Sequence, residues 1–218
     1  MLKTGFYILM IFNFSVCCAQ ADSTAKSPFK NFDFKLTYLS SVIYPGVSTG
    51  IEYFIKQKSL DKSKLKPGNK ILKKERFISG NLNWYHHPDF HDNLYLTLEW
   101  VKRKTKSTGF ISEFTFGPGF SRTFNGGTTY SVNDAGDISV IKMAGYNYAL
   151  ITAGGGFGYD YSVRKNFSCL ILAKMNIISM FPYNSTIYFR PVMELGIRYI
   201  PARRTSSVLK QHDSNSNK

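Results

Sequence analysis

Eight stretches of this chain alternate apolar and polar residues with a period of two, and no other feature constrains the fold as much. That period puts successive side chains on opposite faces of an extended strand. The first run sets Phe32, Phe34, Leu36 and Tyr38 against Asp33, Lys35 and Thr37. The second sets Val47, Thr49, Ile51, Tyr53 and Ile55 against Ser48, Gly50 and Glu52. The third sets Ile78, Gly80, Leu82 and Trp84 against Ser79, Asn81 and Asn83. The fourth is the cleanest, with Leu94, Leu96, Leu98 and Trp100 opposite Tyr95, Thr97, Glu99 and Arg103. In the fifth, Phe114, Phe116, Pro118 and Phe120 oppose Glu113, Thr115, Gly117 and Gly119. The sixth carries Ala149, Ile151, Ala153, Phe157, Tyr159 and Tyr161 on one face, with Thr152, Gly154, Gly156, Gly158 and Asp160 on the other. The seventh, "FSCLILAKMNIISM", is the least regular, with Lys174 and Asn176 on its more polar side. The eighth sets Ile187, Phe189, Met193, Leu195, Ile197 and Tyr199 against Arg190, Glu194, Gly196 and Arg198.

Several runs exceed the five or six residues usual for soluble strands. Many reach the roughly 9–11 that a tilted strand needs to cross a bilayer. The number is even and no helical segment intervenes. Together these predict an all-β chain, an eight-stranded antiparallel up-and-down transmembrane β-barrel over residues 31–200. The connections sort by length. "KTKSTG" (104–109) and "SVRKN" (162–166) read as tight polar turns at one end, while "HHPDFHDN" and the long 125–145 segment lie at the other. With the N-terminus in the periplasm, the long segment faces out of the cell, and its "YSVNDAGDISV" suits a small hairpin of its own. The basic connection 57–75 breaks the sorting, because counting strands puts it on the periplasmic side.

The ends of the chain speak of export. Residues 1–21 read as a cleaved secretory signal peptide: Lys3, an apolar "GFYILMIFNFSV" too short to span a bilayer as a helix, then Ala19-Gln20-Ala21 before the cleavage point. A lipoprotein signal at Cys17 or Cys18 is the rival, with Val16 or Cys17 preceding the cysteine where a small residue belongs. Residues 22–30 form a linker, and the basic, polar segment 201–218 a disordered tail. About 197 residues then remain, enough for one domain, with Cys169 the sole cysteine, so no disulfide framework is possible. The formal net charge is +14. Much of it lies between Lys56 and Arg76, where nine Lys or Arg face only Asp61 and Glu75. That stretch reads as a solvated loop, or else as an attraction to the phosphates of lipid head groups or lipopolysaccharide. An exported chain with no recognition motif is not a nucleic-acid binder.

Alternation alone does not say which face is wet. A soluble periplasmic, lipocalin-like carrier would turn the apolar side inward, and a membrane barrel would show it to lipid. Trp84, Trp100, Tyr159, Tyr161 and Tyr199 stand near strand ends, where interface girdles form. The polar faces carry both signs of charge: Glu52, Glu99, Glu113 and Glu194 with Arg103, Lys174, Arg190 and Arg198, a set able to pair within a closed lumen. Gly117 and Gly119 face the same way as Gly154, Gly156 and Gly158, making room in a narrow interior. These features favour the membrane. Signal peptide, eight amphipathic strands and a mixed-charge, glycine-containing face resemble the small outer-membrane β-barrels of diderm bacteria, the OmpA/OmpX type. The resemblance spans nearly all of 31–200, is architectural, and carries no diagnostic motif. It departs at "IRYI", which runs on into a polar tail instead of ending on a terminal aromatic. It implies a non-porin, because an eight-stranded interior is just wide enough for side chains to fill.

Three of the four histidines fall within six residues, His86, His87 and His91, beside Asp89 and Asp92. The candidate metal ligands are His86, His87, His91 and Asp89, whose chemistry suits a borderline metal such as zinc. The plainer reading is a polar, aromatic loop at a membrane rim. No other cofactor is indicated. Small barrels that deacylate or transfer lipid chains use Ser with His, but none of His86, His87 and His91 begins a His-x-Ser; Ser112 and Ser121 are the serines able to approach in space. "GGGFG" (154–158) lies inside a strand run and is no dinucleotide loop, and "VNDAGDI" lacks the rest of a calcium loop. The expectation is a structural or surface-interaction barrel of the bacterial cell outer membrane, without enzymatic activity. Its partners would be outer-membrane lipid and lipopolysaccharide, with an extracellular ligand at 125–145. A membrane-embedded lipid-modifying enzyme and the soluble carrier are the alternatives.

Overall fold

The computed structural model describes residues 31–41, 44–59, 71–88, 90–163, 167–183 and 186–200. The signal peptide, linker and tail assigned to 1–21, 22–30 and 201–218 lie outside the described residues, as does Asp89. The strands are β1 (Phe32–Ser41), β2 (Tyr44–Ser59), β3 (Ile71–His87), β4 (His91–Lys106), β5 (Phe110–Asn125), β6 (Thr129–Val132), β7 (Ile138–Ile141), β8 (Asn147–Asp160), β9 (Cys169–Tyr183) and β10 (Thr186–Tyr199). A short 3-10 turn, Tyr161–Val163, follows β8. Eight strands close a ring in the order β1-β10-β9-β8-β5-β4-β3-β2, every pair antiparallel. Closure by β1 on β10 removes both sheet edges, which a polar backbone in lipid requires. The pair β6–β7 is a separate hairpin, in the segment where sequence placed one.

The exterior is apolar. Leu96, Leu98, Phe114, Phe116, Phe120, Met193 and Leu195 are each about half or more exposed, while the residues between them along their strands are buried. A soluble protein does not turn its apolar sides outward from every wall, so this is a lipid-facing surface, and an apolar-lined carrier is excluded.

The strands run further than the alternation indicated. β4 continues through Lys106, so of "KTKSTG" only 107–109 is turn, with Gly109 at φ 92° donating its N–H to the Lys106 carbonyl. The supposed loop "HHPDFHDN" is largely strand: His86 and His87 end β3, His91, Asp92 and Asn93 begin β4, and Pro88 and Phe90 are turn residues between them. The basic stretch is likewise no mere loop, since β2 runs to Ser59 and β3 starts at Ile71. Residues 60–70 lie outside the described residues; β2 finishes and β3 begins at the end of the barrel where β1 begins and β10 finishes, here called the terminal end. The β6–β7 hairpin stands at the far end.

Candidate functional site

Inside the ring, parity gathers seven acids (Asp33, Glu52, Glu75, Glu99, Glu113, Asp160 and Glu194) and six bases (Lys35, Lys73, Arg103, Lys174, Arg190 and Arg198), all buried. Arg103 is the hub. Its guanidinium meets Glu113 at 2.9 Å, Asp33 at 3.6 Å and Glu52, and its Cζ lies 4.4 Å from the Phe77 ring centre. Arg198 grips both oxygens of Glu113 in a two-pronged pair and reaches Glu52 Oε1 at 3.2 Å. Lys174 bridges Glu99 at 3.2 Å and Glu194 at 3.5 Å, and Lys35 reaches Glu194 at 3.4 Å. Lys73 sits 3.4 Å from both Glu75 and Asp160. Taking charges out of water costs several kcal/mol each, and Arg103, Arg198, Lys174, Lys73, Glu52, Glu113 and Glu194 offset it with two or more ionic partners apiece.

The glycines serve this network through their neighbours rather than across the lumen. A Cβ on Gly156 would lie 2.8 Å from Lys174 Cα, and one on Gly154 would strike Asn176 Oδ1. Their bareness lets those two β9 side chains turn inward beside them.

Above the ion pairs, toward the far end, lies an apolar layer of Leu39, Tyr85, Tyr95, Tyr148, Leu150, Ile178, Met180 and Val192. Below them Ile111, Leu170, Leu172 and Ile200 form a second cluster. The lumen thus holds an apolar layer toward the far end and an ionic middle, and at the terminal end Ile111 and Leu170 share rungs with the Lys73–Asp160 pair. Arg190 caps the upper one, its Cζ 3.4 Å from the Tyr85 ring centre and its Nε donating to Ser41 Oγ at 2.8 Å. Alone of the six interior bases, it forms no ion pair among the described residues.

The histidines do not form one centre. His86 and Asp92 pair on the outer wall, Nδ1 to Oδ1 at 2.7 Å, with the His86 ring stacked on Trp84. His87 and His91 stand on the lumen side, 5.2 Å apart, with Tyr44 stacked at 4.0 Å on His87. His87 Nδ1 lies 3.0 Å from the Pro88 carbonyl. Hairpin parity explains the division, because residues 86 and 87 must point to opposite faces. Among the described residues no group of three or more potential ligands converges to hold a metal.

Ser121 does lie on the histidine side, but two residues intervene. Its Oγ donates to Asn93 Oδ1 at 2.8 Å, Asn93 Nδ2 donates to Tyr85 Oη at 3.0 Å, and Tyr85 Oη is 3.4 Å from His91 Nε2. No base takes the serine proton directly in this arrangement, so it lacks the nucleophile–base contact of acyl chemistry. Ser112 sits on β5 beside Lys104, near the opposite end. Asp33, Lys35, Lys73, Glu75 and Asp160 were missing from the charge set drawn from sequence. Asp33, Lys35 and Asp160 stood on polar faces already, while Lys73 and Glu75 were hidden in the basic stretch.

No protein-family model and no curated protein sequence matches the chain. Solved structures of similar form are the outer membrane enzyme PagL, the attachment invasion locus protein Ail of Yersinia pestis, and Neisserial surface protein A. PagL is 10% identical over 77% of this chain and 98% of its own, with a TM-score of 0.40. Ail is 8% identical over 77% and 93%, at 0.41. The Neisserial protein is 10% identical over 78% and 94%, at 0.42. The expectation of no enzymatic activity does not stand: an outer membrane enzyme is among these barrels, and the form of the molecule leaves catalysis open. By its own closed ring, apolar exterior and filled, charged interior, the chain is a small eight-stranded barrel of outer-membrane architecture.

Proposed function

We propose that this chain is a bacterial outer-membrane barrel, closed to solute diffusion, that holds the β6–β7 hairpin outside the cell as a contact surface. The hairpin carries the reading. Tyr130, Val132, Ile138 and Val140 pair across it on one face, at 60%, 65%, 71% and 56% exposure. A two-stranded ribbon with an uncovered apolar face is marginal in water, and apolar surface held out on a rigid support marks a place of contact. Closure follows from the layered lumen. With the terminal end in the periplasm, the hairpin and the turn joining β3 to β4 face outward, and the chain's partners are an extracellular ligand at the hairpin and the lipid around the wall.

The test compares cells carrying the full chain with cells carrying a version whose residues 128–142 are replaced by a Gly-Ser linker. Both are fractionated, checked for a species in the outer membrane whose gel mobility changes on boiling, and assayed for adherence to immobilised extracellular-matrix proteins. Adherence should fall with the hairpin gone while the folded species persists. Equal adherence removes the hairpin as the contact surface, and stepwise conductance of the purified barrel in planar bilayers removes the closed lumen.

A further inference from the structure

The two flanks of the basic stretch, up to Ser59 and from Ile71, are organised by strand register. Lys56 on β2, Arg76 on β3 and Lys102 on β4 are direct cross-strand partners, and so are Lys58, Lys74 and Lys104 on the next rung outward. All six are exposed. They form an array three strands wide and two rungs deep on the outer wall at the terminal end. Their inward-pointing neighbours Glu75 and Arg103 belong to the lumen network, so the outer face carries the cations alone. Among the described residues, every carboxylate is either inside the barrel or at the far end.

Like charges placed directly opposite one another on a sheet repel and destabilise it. Six with no counter-charge beside them among the described residues point to an anionic occupant. The position says which. The rung next inward from Lys56–Arg76–Lys102 is Tyr53–Ile78–Trp100–Phe116, the edge of the apolar band. Lys102 Nζ lies 4.9 Å, and Arg76 Cζ 5.8 Å, from the Trp100 ring centre, an interfacial aromatic held by cations. Along β3, ten residues separate Arg76 from His86 at the opposite rim. At about 3.3 Å each and a tilt near 40°, that is about 25 Å of height, the thickness of an outer-membrane apolar band. The array therefore sits at head-group level. Spacings of about 4.8 Å between strands and about 7 Å between rungs make a field larger than one phosphate.

We propose that the Lys56–Arg76–Lys102 and Lys58–Lys74–Lys104 array binds the phosphates of an anionic phospholipid in the periplasmic leaflet, best one with two phosphates in its head group. The site rests on the barrel lying in the outer membrane with its termini in the periplasm, and is independent of the hairpin. Each cation at a membrane surface contributes about fivefold to anionic-lipid affinity.

The full chain is refolded into phosphatidylcholine bilayers containing a minor fraction of diphosphatidylglycerol, extracted gently, and its bound lipid measured by native mass spectrometry. The folded chain should carry diphosphatidylglycerol in preference to phosphatidylcholine. The triple variant Lys58→Gln, Lys74→Gln, Lys104→Gln should bind it at least about tenfold more weakly, while Lys142→Gln at the far end should leave it unchanged. Boiling-dependent gel mobility confirms that each variant is folded; a chain that never inserts overturns the membrane barrel itself. An inserted chain with no lipid preference, or equal loss in the Lys142 variant, overturns the site alone. Preferential capture of added lipopolysaccharide over phospholipid overturns the periplasmic occupant, and displacement of the lipid by free pyrophosphate overturns a lipid-specific one.

Discussion

At the scale of single residues, the interior has one group on which several others depend. Arg103 is 1% exposed and contacts Glu52, Glu113 and Asp33 at once. Arg103→Met keeps bulk but strips Glu52 and Glu113 of one of their two guanidinium partners, leaving buried carboxylate charge under-compensated. The expected loss is about 3–5 kcal/mol in urea unfolding from lipid vesicles. Arg103→Met combined with Glu52→Gln should recover part of it, because the stranded charge is then removed; a single variant as stable as the parent would show that the network adds no stability. A second contrast comes from two glycines. A Cβ on Gly117 would lie 1.9 Å from the Leu98 carbonyl oxygen, whereas one on Gly80 meets nothing within 4 Å. Gly117→Ala should lower the temperature at which the folded gel band disappears, and Gly80→Ala should not. Parity in the sequence is enough to set Glu52, Glu99, Glu113 and Glu194 on one side of their strands. It is silent on which cation each meets, because Lys174 and Arg198 reach partners on strands far away in the chain.

At the scale of elements, strand existence was legible and strand length was not, for a physical reason. Where lipid is outside, hydropathy contrasts the two faces, and the period of two is plain from Leu94 to Trp100. Beyond the band the contrast vanishes: Lys56, Lys58, Lys74 and Arg76 are exposed on the outer wall while Lys73 and Glu75 face an ionic lumen. Both faces are then polar, and β2–β3 looks like a solvated loop though it is hydrogen-bonded sheet to Ser59 and Ile71. The histidines show the same limit, since His86↔Asp92 and His87↔His91 are ladder pairs whose polar outer and inner faces read as a turn. The hairpin is the opposite case, a regular element that contributes nothing to the ring. β6 and β7 pair only with each other, and the ring is secured beneath them by Thr123 N–H to the Tyr146 carbonyl at 2.9 Å and Asn125 N–H to that of Ala144 at 2.8 Å. Replacing 128–142 by a flexible linker spares both bonds. Unfolding free energy should stay within about 0.5 kcal/mol of the parent, and a larger drop would mean that the hairpin packs on the barrel.

At the scale of the whole molecule, the question is which solvent the apolar wall meets, and one substitution asks it directly. Leu98 is 56% exposed in the middle of the band, with Leu96 and Trp100 on either side along β4. In water, an arginine at so exposed a position costs almost nothing, since its charge is solvated and a hydrophobic side chain is removed from the surface. In a bilayer the same guanidinium stands near the midplane, with about 10 Å of hydrocarbon on either side, and a barrel pays about 2–4 kcal/mol for it. Ser40 supplies the matched control. It faces outward at the last position but one of β1, toward the far rim, where a long arginine side chain reaches head groups and the cost falls to about 0–1 kcal/mol. Leu98→Arg and Ser40→Arg, refolded into the same vesicles and titrated with urea, should therefore differ by roughly 2 kcal/mol or more. The difference depends on depth and not on the loss of a contact, because neither side chain reaches the lumen. Equal costs at the two depths would put water against this wall, and the closed ring would then have to be stable in solution with its aromatic and aliphatic side chains turned outward.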